Sequence, residues 1–407
     1  MLVFIAGAVL SGCGLFGGGR DELSGQGQQQ TMESGQAHGL YEEAWRVVLE
    51  EYVDTTFNGQ DWYRWKEAYK GDLRDKDDAY VGIQSMLASL DDDYTRFLKP
   101  RDMSEQTLSI DSRLFGVGIQ IFVRDNKLIV VTPLKGSPAE EAGLEPGDMI
   151  THIDNEPTAG MTVEEAADKI RGPEGTPVAL TIKREEKMFP VTIRRAEIKI
   201  QSVFTQKLKN PQIGYIRLNS FISENAFKEM VEALEKEKSK KALILDLRGN
   251  YGGLLNNAVD IADLFLQPGQ KIVSIVDRKA ETRAFQSENP PRYLKPMIVL
   301  IDGSSASASE ILSGALKDNR RAKLVGAKTF GKGLVQKINH LSDGSGINIT
   351  ISKYYTPKGT DIDKKGIRPD YAVKLKRQDV LKNRDLQLDK AIEVLSSQSR
   401  MLAKPGA

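Results

Sequence analysis

Cysteine occurs once in this chain of 407 residues, at position 13, and histidine only three times. With no thiol beyond Cys13, the body of the chain holds no disulfide, no cysteine nucleophile and no cysteine-built metal centre. The histidines are poorly placed as general bases: His38 lies in a polar linker, His152 in an apolar strand-like run beside a turn, and His340 in a loop before Asp343-Gly344. No cluster has metal-ligand spacing, so neither a metal nor a cofactor is expected, and an amine is the remaining candidate for a base. An excess of charge is lacking too. Lys and Arg number 57 against 56 Asp and Glu, a formal net charge of +1, which gives a nucleic-acid partner no electrostatic footprint. The apolar run at residues 2–10 is too short to span a bilayer.

That run does suit the core of a signal peptide, although no Lys or Arg precedes it. Leu10-Ser11-Gly12-Cys13 follows and resembles a bacterial lipobox, so Cys13 is the expected site of lipidation. Residues 14–39 are rich in Gly, Gln and Ser (Gly17-Gly18-Gly19, Gln28-Gln29-Gln30) and read as a flexible tether. The expectation is an exported, membrane-anchored lipoprotein facing the periplasm or another extracytoplasmic space.

The chain's 407 residues, at 40% apolar content overall, suffice for two or three cores. Residues 40–105 read as a helical cap, with Leu40, Ala44, Val47, Val48 and Tyr52 at helical spacing and a second pattern through Ile83, Met86, Leu87 and Leu90. Residues 106–196 change to short β-rich runs with Gly-Pro punctuation. The order of Leu114-Phe115-Gly116-Val117-Gly118-Ile119, Gly136-Ser137-Pro138-Ala139 and Leu144-Glu145-Pro146-Gly147-Asp148 resembles a PDZ domain. By that resemblance Phe115, Gly116, Val117 and Gly118 form the loop whose amides hold a chain-terminal carboxylate. Residues 197–372 alternate strand and helix in α/β fashion, with continuous apolar runs at 242–245 and 297–301 that read as buried parallel strands. Residues 373–407 form a charged tail ending in a helix, fit for packing or for dimer formation.

The chemistry concentrates in two segments. Ser304-Ser305-Ala306-Ser307-Ala308-Ser309-Glu310 opens a helical pattern, and Thr329-Phe330-Gly331-Lys332-Gly333 sets a lysine between glycines. A serine hydroxyl is a weak nucleophile until a base takes its proton. A lysine, with an ordinary pKa of about 10.4, serves as that base only after a depression of roughly 2–3 units, about 3–4 kcal/mol, which burial against Phe330, Leu334 and Val335 could supply. Taken alone, Ser307-Ala308-Ser309-Glu310 also fits a capping box. Lys332 alone also fits a solvated turn.

Together with Asp246-Leu247-Arg248-Gly249-Asn250-Tyr251-Gly252-Gly253 and Tyr354-Tyr355-Thr356-Pro357-Lys358-Gly359, these segments resemble the carboxyl-terminal processing peptidases, or tail-specific proteases. The resemblance covers nearly everything after residue 40. It implies an α/β core of crotonase and Clp-protease type with an inserted PDZ domain that gates access, acting on protein substrates with exposed carboxyl-terminal tails through an acyl-enzyme. Carried over by position, Ser307 is the nucleophile, Lys332 the base and Gln336 the residue that orients the lysine, in helical or extended geometry. The backbone amides of Ala308 and Gly253, with Gly252 as the adjacent alternative, are the oxyanion donors. Tyr251 departs from the Asn-Asn-Pro usual before the paired glycines. Relatives in photosynthetic organisms process a photosystem reaction-centre precursor, and Tyr52-Val53-Asp54 through Phe57-Asn58-Gly59-Gln60-Asp61-Trp62 looks like that branch; if the source is photosynthetic, the expected compartment is the thylakoid lumen, and a homodimer or an adaptor stays open. The rivals are a non-enzymatic peptide-binding scaffold and an acyl-CoA enzyme of crotonase type.

Overall fold

A computed structural model describes residues 23–69, 71–110, 113–124, 126–134, 136–199, 201–375, 379 and 384–402. Cys13 and the 2–10 run lie outside the described residues. The chain divides into two compact units, Met1–Lys99 with Ile338–Ile349, and Pro100–Lys337 with Thr350–Ala407.

In the first unit, helix Leu23–Glu51 buries Leu40, Ala44 and Val48, Tyr52 is buried just past its end, and helix Lys76–Ala88 buries Ile83, Met86 and Leu87. Trp45 and Trp62 each donate the indole N–H to the other's carbonyl oxygen, at 3.0 and 3.2 Å, closing the polar groups of two buried rings. Strand Arg96–Leu98, inside the stretch read as helical, pairs antiparallel with residues 346–348. The tether reading of residues 14–39 is corrected from Leu23 onward. Composition suggests disorder there, but no proline interrupts the segment, Ala37 is fully buried, and Ser34 Oγ donates to the Leu73 carbonyl at 2.8 Å. Tertiary contact overrides the weak local preference.

Within the second unit, the PDZ-like segment is an antiparallel sheet ordered Ile119–Arg124, Lys127–Pro133, Met149–Ile153, Pro177–Arg184 and Lys187–Arg194. Alternate residues such as Val178, Leu180 and Ile182 point into its core with Ala166 and Ile170 of helix Val163–Ile170, which Thr162 and Glu165 begin with a capping box. Among the described residues Ile119–Arg124 is an edge strand, paired on one side. Arg113–Gly116 pairs with Ala196–Lys199, so the segment enters and leaves through a two-stranded ladder.

The remainder carries a six-stranded sheet in the order Val203–Thr205, Ile213–Leu218, Ala242–Asp246, Met297–Ile301, Lys323–Gly326, Tyr371–Ala372, parallel after its first pair. Ala242–Asp246 and Met297–Ile301 are buried at every residue, as central strands covered on both faces must be. Helices Ala226–Glu237, Leu255–Asp263 and Ala308–Asp318 cover one face. The carboxyl-terminal helix Leu386–Leu402 covers the other with Ala391, Val394 and Leu395, which makes it a packing element of the core. The two central strands run from their carboxyl ends through tight loops into Leu255–Asp263 and Ala308–Asp318, where open parallel sheets place their sites. Outside the alternation stand antiparallel strands Lys271–Asp277, Thr282–Gln286, Leu334–His340 and Gly346–Tyr355.

Candidate active site

Ser307 joins the loop after Met297–Ile301 to helix Ala308–Asp318 with φ 54° and ψ −115°. An ordinary helix cap lies in the extended region, whereas a left-handed serine is strained and persists only where its surroundings hold it. The holding contacts are on both sides. Ala306 N–H donates to the Asn250 carbonyl at 3.1 Å, and Phe330 N–H to that of Ser305 at 3.0 Å. Ser305 and Ser309 are buried and give their hydroxyls to the carbonyls of Leu247 and Asn250, both at 2.8 Å. Ser307, the half-buried middle serine, is the one left facing outward.

The loop after Ala242–Asp246 wraps over this turn. Asn250, fully buried, donates Nδ2 to the Leu218 carbonyl at 2.7 Å and accepts the Gly252 N–H on Oδ1 at 2.9 Å. Gly252's amide is therefore committed, whereas the Gly253 N–H has no hydrogen-bond partner among the described residues. A Cβ on Gly252 (φ 99°) would come within 2.9 Å of Ser307 Cβ and 3.0 Å of Ala308 N, and one on Gly253 (φ 146°) within 2.3 Å of the Phe221–Ile222 backbone. Both conformation and space demand glycine. Asp302 Oδ1 accepts the N–H groups of Gly249, Ser304 and Ser305 at 2.9 to 3.1 Å, joining the two loops at their bases. Tyr251, the departure from the usual pattern, is 71% exposed, so it leaves these bonds intact.

At the start of the same loop, Arg248 forms a bidentate pair with Asp385, both contacts at 2.8 Å, and pairs with the fully buried Asp246, which also accepts the Tyr215 hydroxyl at 2.6 Å. Burial pushes the Asp385 carboxyl up, but the Arg248 guanidinium and the Leu388 N–H outweigh it and hold the group below the usual carboxylate range.

Lys332 is half-buried in the loop before Leu334–His340. Its glycine neighbours are required by close passage of the chain at 362–366: a Cβ on Gly331 would lie 2.9 Å from Gly366 N, and one on Gly333 2.8 Å from Asp363. Phe330 is 54% exposed, so the apolar surroundings expected of it fall to Leu334 and Val335, which are partly buried. Gln336 is in extended geometry, and its Nε2 donates to Thr350 Oγ1 at 3.4 Å.

A residue that sequence reasoning took for a helix cap proves central. Glu310 is fully buried, and its carboxylate accepts Thr329 Oγ1 at 2.5 Å and Gly331 N–H at 2.8 Å on Oε1, with Lys332 N–H at 2.8 Å and Ser307 N–H at 3.0 Å on Oε2. Burial raises its pKa, and these four donors work against the rise. The available signal was a carboxylate in the first two turns of a helix whose other residues there are all small or apolar, Ala308, Ser309, Ile311, Leu312, Ser313 and Gly314.

The structure thus brings Ser307, Ala308, the Gly252-Gly253 turn and Lys332 together around the carboxyl ends of two strands, while Gln336 lies on Leu334–His340 beside Thr350. Phe115, Gly116, Val117 and Gly118 lie apart on the PDZ-like segment. Phe115 and Gly116 sit in the entry ladder opposite Glu197 and Ala196, and Val117 is buried. Gly118 (φ 76°) has no room for a Cβ, which would meet Ser137 Cβ at 2.3 Å, and it leads directly into the edge strand Ile119–Arg124. Among the described residues no helix is long and apolar enough to cross a membrane.

Residues 212–373 match the model of peptidase family S41, and residues 129–184 that of the PDZ domain. The chain is 42% identical over 367 residues to the carboxyl-terminal-processing protease of Synechocystis, across 87% of this chain and 86% of that one. It is 38% identical over 351 residues to carboxyl-terminal-processing peptidase 2, chloroplastic, of Arabidopsis thaliana, across 82% of this chain and 68% of the relative. Among solved structures it is similar to a photosystem II D1 C-terminal processing protease, at 32% identity and a TM-score of 0.56, across 83% of this chain and 93% of that one.

Proposed function

The chain belongs to peptidase family S41, the carboxyl-terminal-processing proteases, and on that premise we propose that Ser307 is its nucleophile, Lys332 its base, and Gly253 and Ala308 its oxyanion donors. One observation supports this most. Beside a serine held at φ 54°, the N–H groups of Ala308 and Gly253 have no partner among the described residues, while the neighbouring Gly252 N–H is taken by Asn250. Two unspent amides beside a strained hydroxyl suit a tetrahedral intermediate, and the first turn of Ala308–Asp318 adds the positive end of its dipole.

The steps follow from these positions. Neutral Lys332 takes the Ser307 Oγ proton as Oγ attacks the scissile carbonyl, whose oxygen becomes the anion between the two amides. The intermediate collapses, the C–N bond breaks, and the Lys332 ammonium gives its proton to the departing amine, leaving an ester on Ser307. Lys332 then takes a proton from water, which attacks the ester, and returning that proton to Oγ releases the shortened protein. Gln336, with its amide nitrogen spent on Thr350, offers its carbonyl oxygen to hold the ammonium.

Substrate selection belongs to the PDZ domain. A tail adds to the edge of Ile119–Arg124 with its terminal carboxylate on the Phe115–Gly118 loop, and this binding gates access to Ser307. The apolar run at 2–10 and Cys13 support export and lipid anchoring, so the substrates are tails of exported or membrane proteins.

Ser307→Ala and Lys332→Ala should each abolish peptide turnover without loss of fold, and a serine-reactive phosphonate should label the wild type at Ser307 alone. Turnover retained in either variant removes the pair. Cys13→Ala should move the mature protein from the detergent phase to the soluble exported fraction.

A further inference from the structure

The Tyr354-Tyr355 motif has no part in the steps above, yet Tyr354 touches both reacting segments. It lies on Gly346–Tyr355 opposite Ile275, with its ring in the sheet's main core and 2% of its surface exposed. Its hydroxyl donates to the backbone carbonyl of Lys332 and reaches that of Ser307 at 3.2 Å. Its N–H donates to the carbonyl of Gly333 at 2.9 Å, on the far side of the lysine. Glu310 grips the N–H groups of Ser307 and Lys332, so the tyrosine grips the carbonyls of the same two residues.

We propose that Tyr354 is a positioning residue whose hydroxyl, shared between the Ser307 and Lys332 carbonyls, sets the spacing of nucleophile and base. The proposal rests on the dyad reading given above. The need for such a holder is local. Glycines at 331 and 333 make the lysine loop easy to deform, and the loop comes from a different strand than the serine. A hydroxyl proton shared between two carbonyls is lost to one of them as soon as either moves, so the contact resists displacement of either segment. The ring is already fixed by core packing and carries the hydroxyl on a rigid arm.

Tyr354→Phe deletes the hydroxyl and keeps the ring, and the experiment measures kcat, KM and the pH–rate profile per folded molecule, with the folded fraction read by circular dichroism. Expected is a fall in kcat of about ten- to a hundred-fold, the scale of a small misplacement of reacting groups, at unchanged KM and nearly unchanged Tm. The ascending limb should move to higher pH, because a slack loop admits water to the lysine and water favours its charged form. Glu310→Gln combined with Tyr354→Phe should cost less than the product of the single effects, since both hold one distance. A wild-type kcat and pH profile in folded Tyr354→Phe, or strictly multiplicative effects in the double variant, overturns the proposal. Ser307→Ala run alongside separates the two levels: if it retains turnover the dyad is wrong, and if it is dead while Tyr354→Phe is normal, only the role of Tyr354 fails.

Discussion

Ser307 and Lys332 donate their backbone N–H groups to the same oxygen, Oε2 of Glu310, at 3.0 and 2.8 Å. One buried carboxylate thus measures the gap between the proposed nucleophile at a helix start and the proposed base in a separate loop. Preorganisation of this kind places the reacting groups before substrate arrives, so the binding step need not supply the ordering.

Replacing that carboxylate by its amide tests the bridge. In Glu310→Gln one terminal atom becomes an NH2 group, which faces either Thr329 and Gly331 or Ser307 and Lys332, donors in both cases. We expect kcat to fall about ten- to a hundred-fold with KM little changed, and stability to fall by about 1–3 kcal/mol for the buried donors left unpaired. Steady-state kinetics and thermal melting check both, and a variant with full kcat would show that the bridge is irrelevant to catalysis.

The paired glycines give a second expectation. Gly252→Ala pushes a methyl group against Ser307 Cβ, and Gly253→Ala against the Phe221–Ile222 backbone. Removing an oxyanion donor costs about 10²–10³ in kcat, so if the proposed donor Gly253 is displaced both variants should lose at least that while still binding tail peptides at the PDZ domain. Peptide affinity by calorimetry together with kcat makes the comparison; equal losses of binding and turnover would point to general unfolding instead.

Acid should loosen the carboxyl-terminal helix through Asp385. Its folded pKa is depressed, so its pairing with Arg248 stabilises the protein above the ordinary Asp pKa of about 3.9, and that contribution disappears as pH falls through the lower folded value. Asp385→Asn should cost about 1 kcal/mol at neutral pH, kept small by the side chain's 37% exposure and by solvent screening. The Tm gap between wild type and variant should close as pH drops from 7 to 3, and a gap that stays constant would mean the pair contributes nothing through its charge.

Amidating the last residue of a tail peptide should weaken its binding by roughly ten- to a hundred-fold, the equivalent of about 1.5–3 kcal/mol of charge-assisted hydrogen bonding. Cleavage of that tail should slow as well, although its scissile bond is unchanged. Titration and turnover of matched acid and amide peptides decide it: equal values for both forms would mean that the Phe115–Gly118 loop does not read the chain end.

The parts of the fold that were legible in sequence are those where one physical demand dominates. Ala242–Asp246 and Met297–Ile301 are continuous apolar runs because both their faces are covered, and Ser307 and Lys332 stood out because small residues surround them. Strands such as Leu334–His340 and Thr282–Gln286 were not legible, since mixed polar and apolar residues carry no clear period and long-range pairing fixes them. Leu23–Glu51 was misread at its beginning because composition says nothing about contacts such as Ser34 with Leu73. Glu310 was legible only as a cap: Ser-x-x-Glu describes the local bonds and is silent on Thr329, Gly331 and Lys332, distant in sequence and adjacent in space.

The ladder between Arg113–Gly116 and Ala196–Lys199 brings the ends of the PDZ insertion to neighbouring-strand separation, about 5 Å. A guest whose two ends are already side by side asks its host for no more than a short turn would, so chain-closure entropy at the junction hardly depends on what lies between. The recognition module is in that sense a cassette. Tail preference can be rewritten, or the module exchanged, without re-registering the parallel sheet that carries Ser307, which separates the evolution of what is cut from the evolution of how it is cut.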